Sequence, residues 1–225
     1  MNKSVKFQLL SFVKGILAGL AIGLGGFLYI LMSHYVPGEL GKVLGSLLFA
    51  VGLFLVCTFG LSLYTGKIGK VFEEKQERDF YISLPVMLVG NLIGAASLGL
   101  LLNLALKNTD IMNTVNGVCA SRLTLNTFND YLSLFVKSFL CGTCVYLAVY
   151  CFGKDRLKPL GIGLLVAFVF IFVYTGLQHC IANAFYLGFG NALANPYTYV
   201  NLLFCIMFNS FGPILGILLV KIAKK

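Results

Sequence analysis

Six long apolar runs, separated by short polar stretches, dominate this sequence of 225 residues. A helix that crosses a lipid bilayer needs roughly 20 apolar residues. Charged residues make up only 11% of the chain, whereas a soluble domain carries about 25% to face water. The sequence therefore predicts an all-α membrane protein with six transmembrane helices in a single domain over residues 1–225. We expect the crossings at about residues 9–32, 43–67, 80–106, 131–152, 160–184 and 199–220.

The basic residues lie mostly between the apolar runs and favour one side of the membrane. With both termini on one side, twelve Lys and Arg residues face that side and three face the other, namely Lys42, Lys107 and Arg122. Cytoplasmic loops carry the excess of basic residues, so we expect both termini in the cytoplasm and the chain in the plasma or inner membrane. The N-terminal run has no small-residue cleavage site and is expected to stay as a helix. The net charge of +9 follows this distribution and does not indicate a nucleic-acid partner.

The second and fifth apolar runs contain polar, glycine-marked interruptions. The second passes through residues 60–66, and the fifth reaches residues 176–179 and then Asn183. Backbone that is not helical at membrane depth is tolerated only where it lines a cavity or is buried in protein. The sequence therefore predicts that both helices are broken beside an internal path. A Gly- and Asn-rich stretch, residues 188–191, is expected to follow the end of the fifth crossing.

The two halves of the chain, about residues 6–107 and 130–223, resemble each other. Three motifs recur in the same order, with residues 12–14 matching 135–137, residues 60–62 matching 176–178, and residues 91–94 matching 209–212. Because each half holds three crossings, an odd number, the second half enters the membrane from the opposite side. The sequence therefore predicts a 3+3 inverted repeat, whose paired breaks are typical of a transport site near the midplane.

Five polar residues are candidates for function. His179 is the foremost, because ionisable groups inside a membrane are costly and usually serve a pathway, and histidine exchanges a proton near neutral pH; alternatively it is a hydrogen-bonded packing residue. Lys14 and Lys137 occupy matching positions in the two halves, and they either reach the membrane interface or supply a positive field for an anion path. Thr65 and Asn183 either donate hydrogen bonds to a dehydrated anion at the breaks or serve packing.

Apolar and small residues complete the pattern. Phe49, Leu53, Leu63 and Phe172 are candidates for apolar constrictions, although apolar residues at helical spacing more often pack a core. Glycines at positions 15, 19, 23 and 25 favour close helix packing, within a protomer or between protomers. The seven cysteines show no metal-site context, and buried thiols act as small apolar side chains. No metal or other cofactor is expected.

Four motifs resemble signatures of the formate/nitrite transporter family. The most specific is residues 176–183, Gly-Leu-Gln-His-Cys-Ile-Ala-Asn, which is similar to the fifth-helix motif around the family's central histidine. Residues 63–66 resemble the loop that breaks the second helix, residues 90–95 the third-helix motif, and residues 135–137 with Cys141 the fourth-helix motif. The resemblance runs from about Lys6 to Lys221, nearly the whole chain.

This resemblance implies an aquaporin-like protomer with one pore in each subunit of a homopentamer. It also implies two apolar constrictions around a chamber that holds His179, with Thr65 facing the histidine and Lys137 supplying positive potential. The implied constriction residues are Leu53, Leu63 and Tyr64 on the cytoplasmic side and Phe49 and Phe172 on the outer side.

Several positions depart from the family pattern. Ser62 stands where an acidic residue is usual, and Gln178 stands where a Glu is usual. Ala184 replaces a common Met, and Gly142 replaces an Asn. Lys14 is unusual for the formate branch and is similar to what the hydrosulfide branch carries. These departures bear on which anion is carried.

Together these features predict a channel or transporter for small monovalent anions, such as formate, nitrite or hydrosulfide, and not an enzyme. Its partners would be the anion, the lipid bilayer and further copies of the chain in a homopentamer. A neutral-solute channel of the water or glycerol type is an alternative, against which Lys14 and Lys137 argue. A haem-holding anchor of a redox enzyme needs axial ligands on facing helices, and only His34 and His179 are available. A purely structural membrane protein is disfavoured by the paired breaks.

Overall fold

The computed structural model describes residues 2–72, 76–154 and 160–223, and these ranges are built from helices. The α-helices in chain order are α1 (Lys3–Tyr35), α2 (Glu39–Thr58), α3 (Tyr64–Lys67), α4 (Arg78–Leu106), α5 (Ile111–Leu123), α6 (Phe128–Phe152), α7 (Leu160–Tyr174), α8 (Cys180–Phe189) and α9 (Pro196–Ala223). A 3₁₀ helix, Ile68–Phe72, continues α3. Five of the described helices, α1, α2, α4, α6 and α9, are long and apolar enough to cross a membrane, and α7 and α8 are shorter apolar helices.

Both predicted interruptions begin at a glycine with a positive φ angle. Gly60 (φ +58°) follows the end of α2, and Gly176 (φ +69°) follows the end of α7. Left-handed backbone at this position ends a helix, and glycine adopts it without a Cβ clash. In both cases the amide of the next residue donates back to a carbonyl in the last turn of the finished helix, at 2.9 Å. The chain therefore leaves the helix at residues 59–63 and again at residues 175–179.

Small residues let two pairs of helices pack with their backbones in contact. A Cβ atom at Gly19 in α1 or at Gly94 in α4 would collide with the backbone of the other helix. Gly142 in α6 and Gly212 in α9 pack in the same way against each other's helix. The glycines at positions 15 and 19 contact α4, and the glycine at position 25 contacts α2. This glycine spacing therefore serves packing within the protomer.

Two stretches are helical where the sequence pattern does not predict a helix. The fifth crossing is expected to end near residue 184, but α8 continues to Phe189. Gly188 does not end this helix, because it lies against the backbone of Ala96 in α4, where only a small residue fits. The connection after α4 also contains α5, which buries Ile111, Val115 and Cys119 at a spacing of four residues on one face. A helix that buries only one face has no long apolar run to reveal it.

Part of the charge pattern that predicts the orientation lies outside the described residues. Five of the twelve basic residues assigned to the cytoplasmic side fall there: Lys75, Arg156, Lys158, Lys224 and Lys225. The other seven lie in terminal turns of helices or in the connections between them: Lys3, Lys6, Lys67, Lys70, Arg78, Lys154 and Lys221. The cytoplasmic position of both termini stays a prediction.

Candidate functional site

Asn91, a buried residue of α4, holds the first break in place. Its Nδ2 donates to the carbonyl oxygens of Gly15 and Ser62, at 2.8 Å each. Its Oδ1 accepts from the amide of Tyr64 at 2.9 Å. The amide of Ser62 donates in turn to the carbonyl of Lys14 at 3.3 Å. One asparagine and one neighbouring helix thus satisfy backbone groups that the broken helix leaves without helical partners.

Asn209, in α9, holds the second break with the same set of bonds. Its Nδ2 donates to the carbonyl oxygens of Ser138 (2.7 Å) and Gln178 (2.9 Å), and its Oδ1 accepts from the amide of Cys180 (2.9 Å). The amide of Gln178 donates to the carbonyl of Lys137 at 3.4 Å. The two breaks are therefore built alike, residue for residue, through matching positions of the two halves.

His179 and Thr65 meet where the two breaks adjoin. The Nε2 atom of His179 lies 2.9 Å from the Oγ1 atom of Thr65, and both residues are buried, at 1% and 0% exposure. His179 is also the N-cap residue of α8, because its Nδ1 accepts from the amide of Ala182 at 3.3 Å. A ring nitrogen that accepts carries no proton, so the proton of the neutral imidazole lies on Nε2 and is donated to Thr65. The Thr65 hydroxyl then keeps its own hydrogen for a further acceptor.

Phe172 and Phe49 pack beside this histidine. The ring centroid of Phe172 lies 6.0 Å from that of His179 and 5.6 Å from that of Phe49. All three residues line one cavity of about 310 Å³, whose wall also includes Lys137. It is hereafter called the outer cavity, after the outer constriction expected at these residues. The two phenylalanines are themselves buried. The structure thus brings together at His179 the two aromatic residues expected to form the outer constriction.

A second cavity, of about 250 Å³, lies towards the other end of α6 and is hereafter the inner cavity. Its wall includes Leu63 and Val56 and three basic residues, Lys67, Lys70 and Lys154. Leu53 is buried in α2 between Phe49, which lines the outer cavity, and Val56, which lines the inner one. Leu53 and Leu63 therefore lie where an apolar barrier between the two cavities would be needed.

Tyr64 does not join Leu53 and Leu63. Leu63 has extended backbone (φ −95°, ψ 120°), and successive side chains of extended chain point in opposite directions. The Tyr64 ring belongs to a separate apolar cluster, with Ile68, Leu84 and Met87. Its hydroxyl oxygen lies 2.8 Å from the Oγ of Ser210. The structure therefore places Tyr64 outside the constriction expected at Leu53 and Leu63.

The two matching lysines, Lys14 and Lys137, differ in their surroundings. Both are half-buried. Lys137 lines the outer cavity with His179, and within the described ranges its ammonium group has no acidic partner. Lys14 is in the wall of neither cavity. Of these two lysines, Lys137 is therefore the one that shares a cavity with His179.

Asn183, a candidate either for binding an anion or for packing, is bonded to protein groups. Its Nδ2 donates to the Oε1 of Gln178 at 2.7 Å and to the Oδ1 of Asn201 at 2.9 Å. Its Oδ1 accepts from the Nε of Arg122 at 2.9 Å. Both amide hydrogens are therefore used, and Asn183 can donate to an anion only by giving up one of these bonds.

Arg122, at the end of α5, reaches the same site, although no motif in the sequence predicts a functional role for it. Its guanidinium carbon lies 4.4 Å from the ring centroid of Tyr186, and the residue lines the outer cavity. Cys119, also in α5, donates from its thiol to the Tyr186 carbonyl at 2.9 Å. Burial raises the pKa of this thiol. The one signal in the sequence is its position, because Arg122 is one of only three basic residues expected on the side of the membrane opposite the termini.

Comparisons with known proteins identify relatives of this architecture. A sequence model of the formate/nitrite transporter family matches residues 2–223. Formate channel FocB of Escherichia coli (strain K12) is 25% identical over 201 residues, which cover 85% of this chain and 70% of that protein.

Two solved structures share the fold. A pentameric formate channel with formate bound matches with a TM-score of 0.78 and 23% sequence identity, over 98% of this chain and 99% of the other. A structure described as an FNT family ion channel matches with a TM-score of 0.81 and 20% identity, over 100% of this chain and 92% of the other. At such identities, these matches show only that the fold is shared.

Proposed function

The chain belongs to the formate/nitrite transporter family, and we propose that it is a membrane channel that passes small monovalent anions through a pore in each protomer. Formate, nitrite and hydrosulfide are the candidate anions. The observation that carries the proposal is the buried pair of His179 and Thr65. His179 lines the outer cavity with Lys137. The neighbours of Thr65 in sequence, Leu63 and Gly66, line the inner cavity, whose wall also contains lysines. The relative named as a formate channel supports an anion as the substrate. The family comprises transporters and not enzymes.

The proposed architecture has six crossings in two inverted halves, about residues 6–107 and 130–223, within one domain over residues 1–225. The five long helices supply five crossings, and α7 with α8, joined by the second break, supplies the sixth. The matching bonds of Asn91 and Asn209 support the inverted repeat. An aquaporin-like path would run between the halves, where the two breaks adjoin.

We further propose that the chain assembles as a homopentamer. The pentameric formate channel matches 98% of this chain. Many large apolar side chains are exposed along α1, α2, α4 and α9, and surfaces of this kind need lipid or neighbouring subunits to cover them. The excess of basic residues in the connections supports cytoplasmic termini, with the chain in the plasma or inner membrane.

His179 and Thr65 would lower the cost of moving an anion past the apolar side chains. An unpaired anion in such surroundings is costly. Since the Ala182 amide occupies Nδ1, His179 donates from Nε2 to Thr65, and the Thr65 hydroxyl is free to donate to the anion. Lys137 would raise the local concentration of anions in the outer cavity.

The alternative route, in which the anion takes a proton from His179 and crosses as the neutral acid, makes an additional demand. A protonated imidazole carries a hydrogen on Nδ1, which would face the amide hydrogen of Ala182 and break the bond that caps α8. A neutral His179 that donates to Thr65, whose hydroxyl donates to the anion, therefore fits the observed geometry better than a protonated His179 does.

Flux measurements in proteoliposomes test the proposed function. Uptake of formate, nitrite and hydrosulfide is measured at two pH values through the unaltered protein, His179→Ala and His34→Ala. We expect anion flux through the unaltered protein and a fall of about tenfold with His179→Ala, equivalent to roughly 1.4 kcal/mol of barrier. His34 is the matched control, because it lies at the end of α1 and contacts Thr114 rather than the breaks.

Two outcomes would contradict the proposal. Unchanged flux and unchanged pH dependence in His179→Ala would remove the histidine from the mechanism. Water or glycerol flux without any anion flux would show a neutral-solute channel instead.

A further inference from the structure

We propose that Arg122 forms the outer anion-capture site of the channel and that Asn183 is the residue that positions it. This inference rests on the proposed function, because it assigns the residue that first binds the permeating anion. Four features of Arg122 support it, namely its hydrogen bonds, its packing, its lack of an acidic partner among the described residues and its position in the wall of the outer cavity.

Three of the five N–H donors of Arg122 are used to hold the side chain in one orientation. Nε donates to the Oδ1 of Asn183 at 2.9 Å. Nη1 donates to the carbonyl of Val118 at 2.6 Å and to the Oγ of Ser121 at 3.2 Å. The two donors on Nη2 have no partner in the part of the chain that the structure describes. A guanidinium fixed in this way offers its remaining donors without first losing rotamer freedom.

Packing fixes the same guanidinium from its flat face. The Tyr186 ring lies 4.4 Å below the guanidinium carbon, and the ring is itself buried. The carbonyl of Arg122 accepts from the Nδ2 of Asn201 at 3.1 Å, which ties the end of α5 to α9. The Asn183 amide, whose hydrogens are taken by Gln178 and Asn201, points its oxygen at Nε. Asn183 therefore acts on an anion through Arg122 rather than by direct contact.

The charge of Arg122 is not neutralised by an acidic side chain among residues 2–72, 76–154 and 160–223. Asp130 is the acidic residue that shares a cavity wall with it. The Oδ2 atom of Asp130, however, accepts from the amides of Asn126 and Thr127 and from the Thr127 hydroxyl, at 2.8–3.0 Å. That carboxylate caps the start of α6. The guanidinium charge is thus left available to a mobile anion.

Arg122 and Lys137 line the outer cavity together with His179. Two fixed positive charges in one concave wall raise the local concentration of a small anion more than either charge alone. Planar oxyanions such as a carboxylate or nitrite suit guanidinium donors. An anion that the guanidinium binds within the outer cavity would share that cavity with His179, which the anion must pass.

The test measures formate permeability at low concentration in proteoliposomes, with external ionic strength varied by a salt that the channel does not pass. We compare the unaltered protein with Arg122→Gln, Arg122→Lys and Lys107→Gln. We expect Arg122→Gln to lower permeability about tenfold and to weaken its dependence on ionic strength, because exposed charges are screened by salt. Arg122→Lys should retain most of both. Lys107→Gln removes an exposed charge at the end of α4 and should change neither.

The outcomes separate this inference from the function on which it rests. Absence of formate flux through the unaltered protein contradicts the proposed function. If the unaltered protein conducts formate, and Arg122→Gln has the same permeability and the same dependence on ionic strength, the capture site is overturned and the proposed function is not. A fall in permeability with unchanged salt dependence, not restored by Arg122→Lys, would also overturn it, because that pattern indicates a structural role. Elution of each variant at the size of the unaltered protein shows that folding has not caused the effect.

Discussion

The two ring nitrogens of His179 have different partners, one in the helix α8 and the other at Thr65. Nδ1 accepts from the Ala182 amide and Nε2 faces Thr65, so the loss of the Thr65 hydroxyl leaves a buried donor without a partner. We expect Thr65→Val to lower formate flux about tenfold and stability by about 1–3 kcal/mol. Thr65→Ser keeps the hydroxyl and should keep both. Flux in proteoliposomes and thermal unfolding in detergent measure the two effects; equal flux in the two variants would exclude the hydroxyl from the path.

Single residues show where reasoning from the sequence reaches its limit. His179 stands out because a polar residue within an apolar run has few roles there. Tyr64 is expected beside Leu63, but the extended backbone between them sends its ring to another cluster. Arg122 carries no local signal of function, because its contacts to Asn183 and Tyr186 join residues that are about 60 positions apart in the chain.

The two breaks need glycine for its backbone conformation, and not because a larger side chain would lack room. Gly60 and Gly176 both have positive φ, and a Cβ atom at either would meet nothing within 4 Å. Alanine at either position is therefore strained only through its backbone, at a cost of about 1 kcal/mol. We expect Gly60→Ala and Gly176→Ala each to lower the midpoint of thermal unfolding and to reduce anion flux.

Gly163 in α7 is the matched control for these two variants, because it is helical and also has open space around it. Alanine favours a helix over glycine by about 1 kcal/mol, so Gly163→Ala should be as stable as the unaltered protein or more stable. If Gly60→Ala unfolds at the same temperature as Gly163→Ala, backbone strain does not govern the break.

At the scale of the whole molecule, the apolar runs and the repeated motifs predict most of the long helices and both interruptions. Apolar runs and glycine-marked interruptions can be read from short stretches of sequence, so these features are predictable without knowledge of the fold. The helix α5 lacks such a signal, since only one of its faces is buried. The pairing of the breaks through Asn91 and Asn209 depends on helices that meet only in the folded chain.

One pore in each of five protomers makes a prediction that a shared central pore does not. If each chain conducts alone, pentamers assembled from unaltered and His179→Ala chains in equal amounts should carry about half of the full flux, because each subunit contributes independently. A path shared by all five chains would let one variant subunit disturb the whole assembly, and flux would fall far below half. Mixtures of unaltered and His34→Ala chains should keep full flux at every ratio. Formate flux plotted against the variant fraction distinguishes a straight line from a steep curve, and a steep curve would contradict the separate pores proposed for this protein.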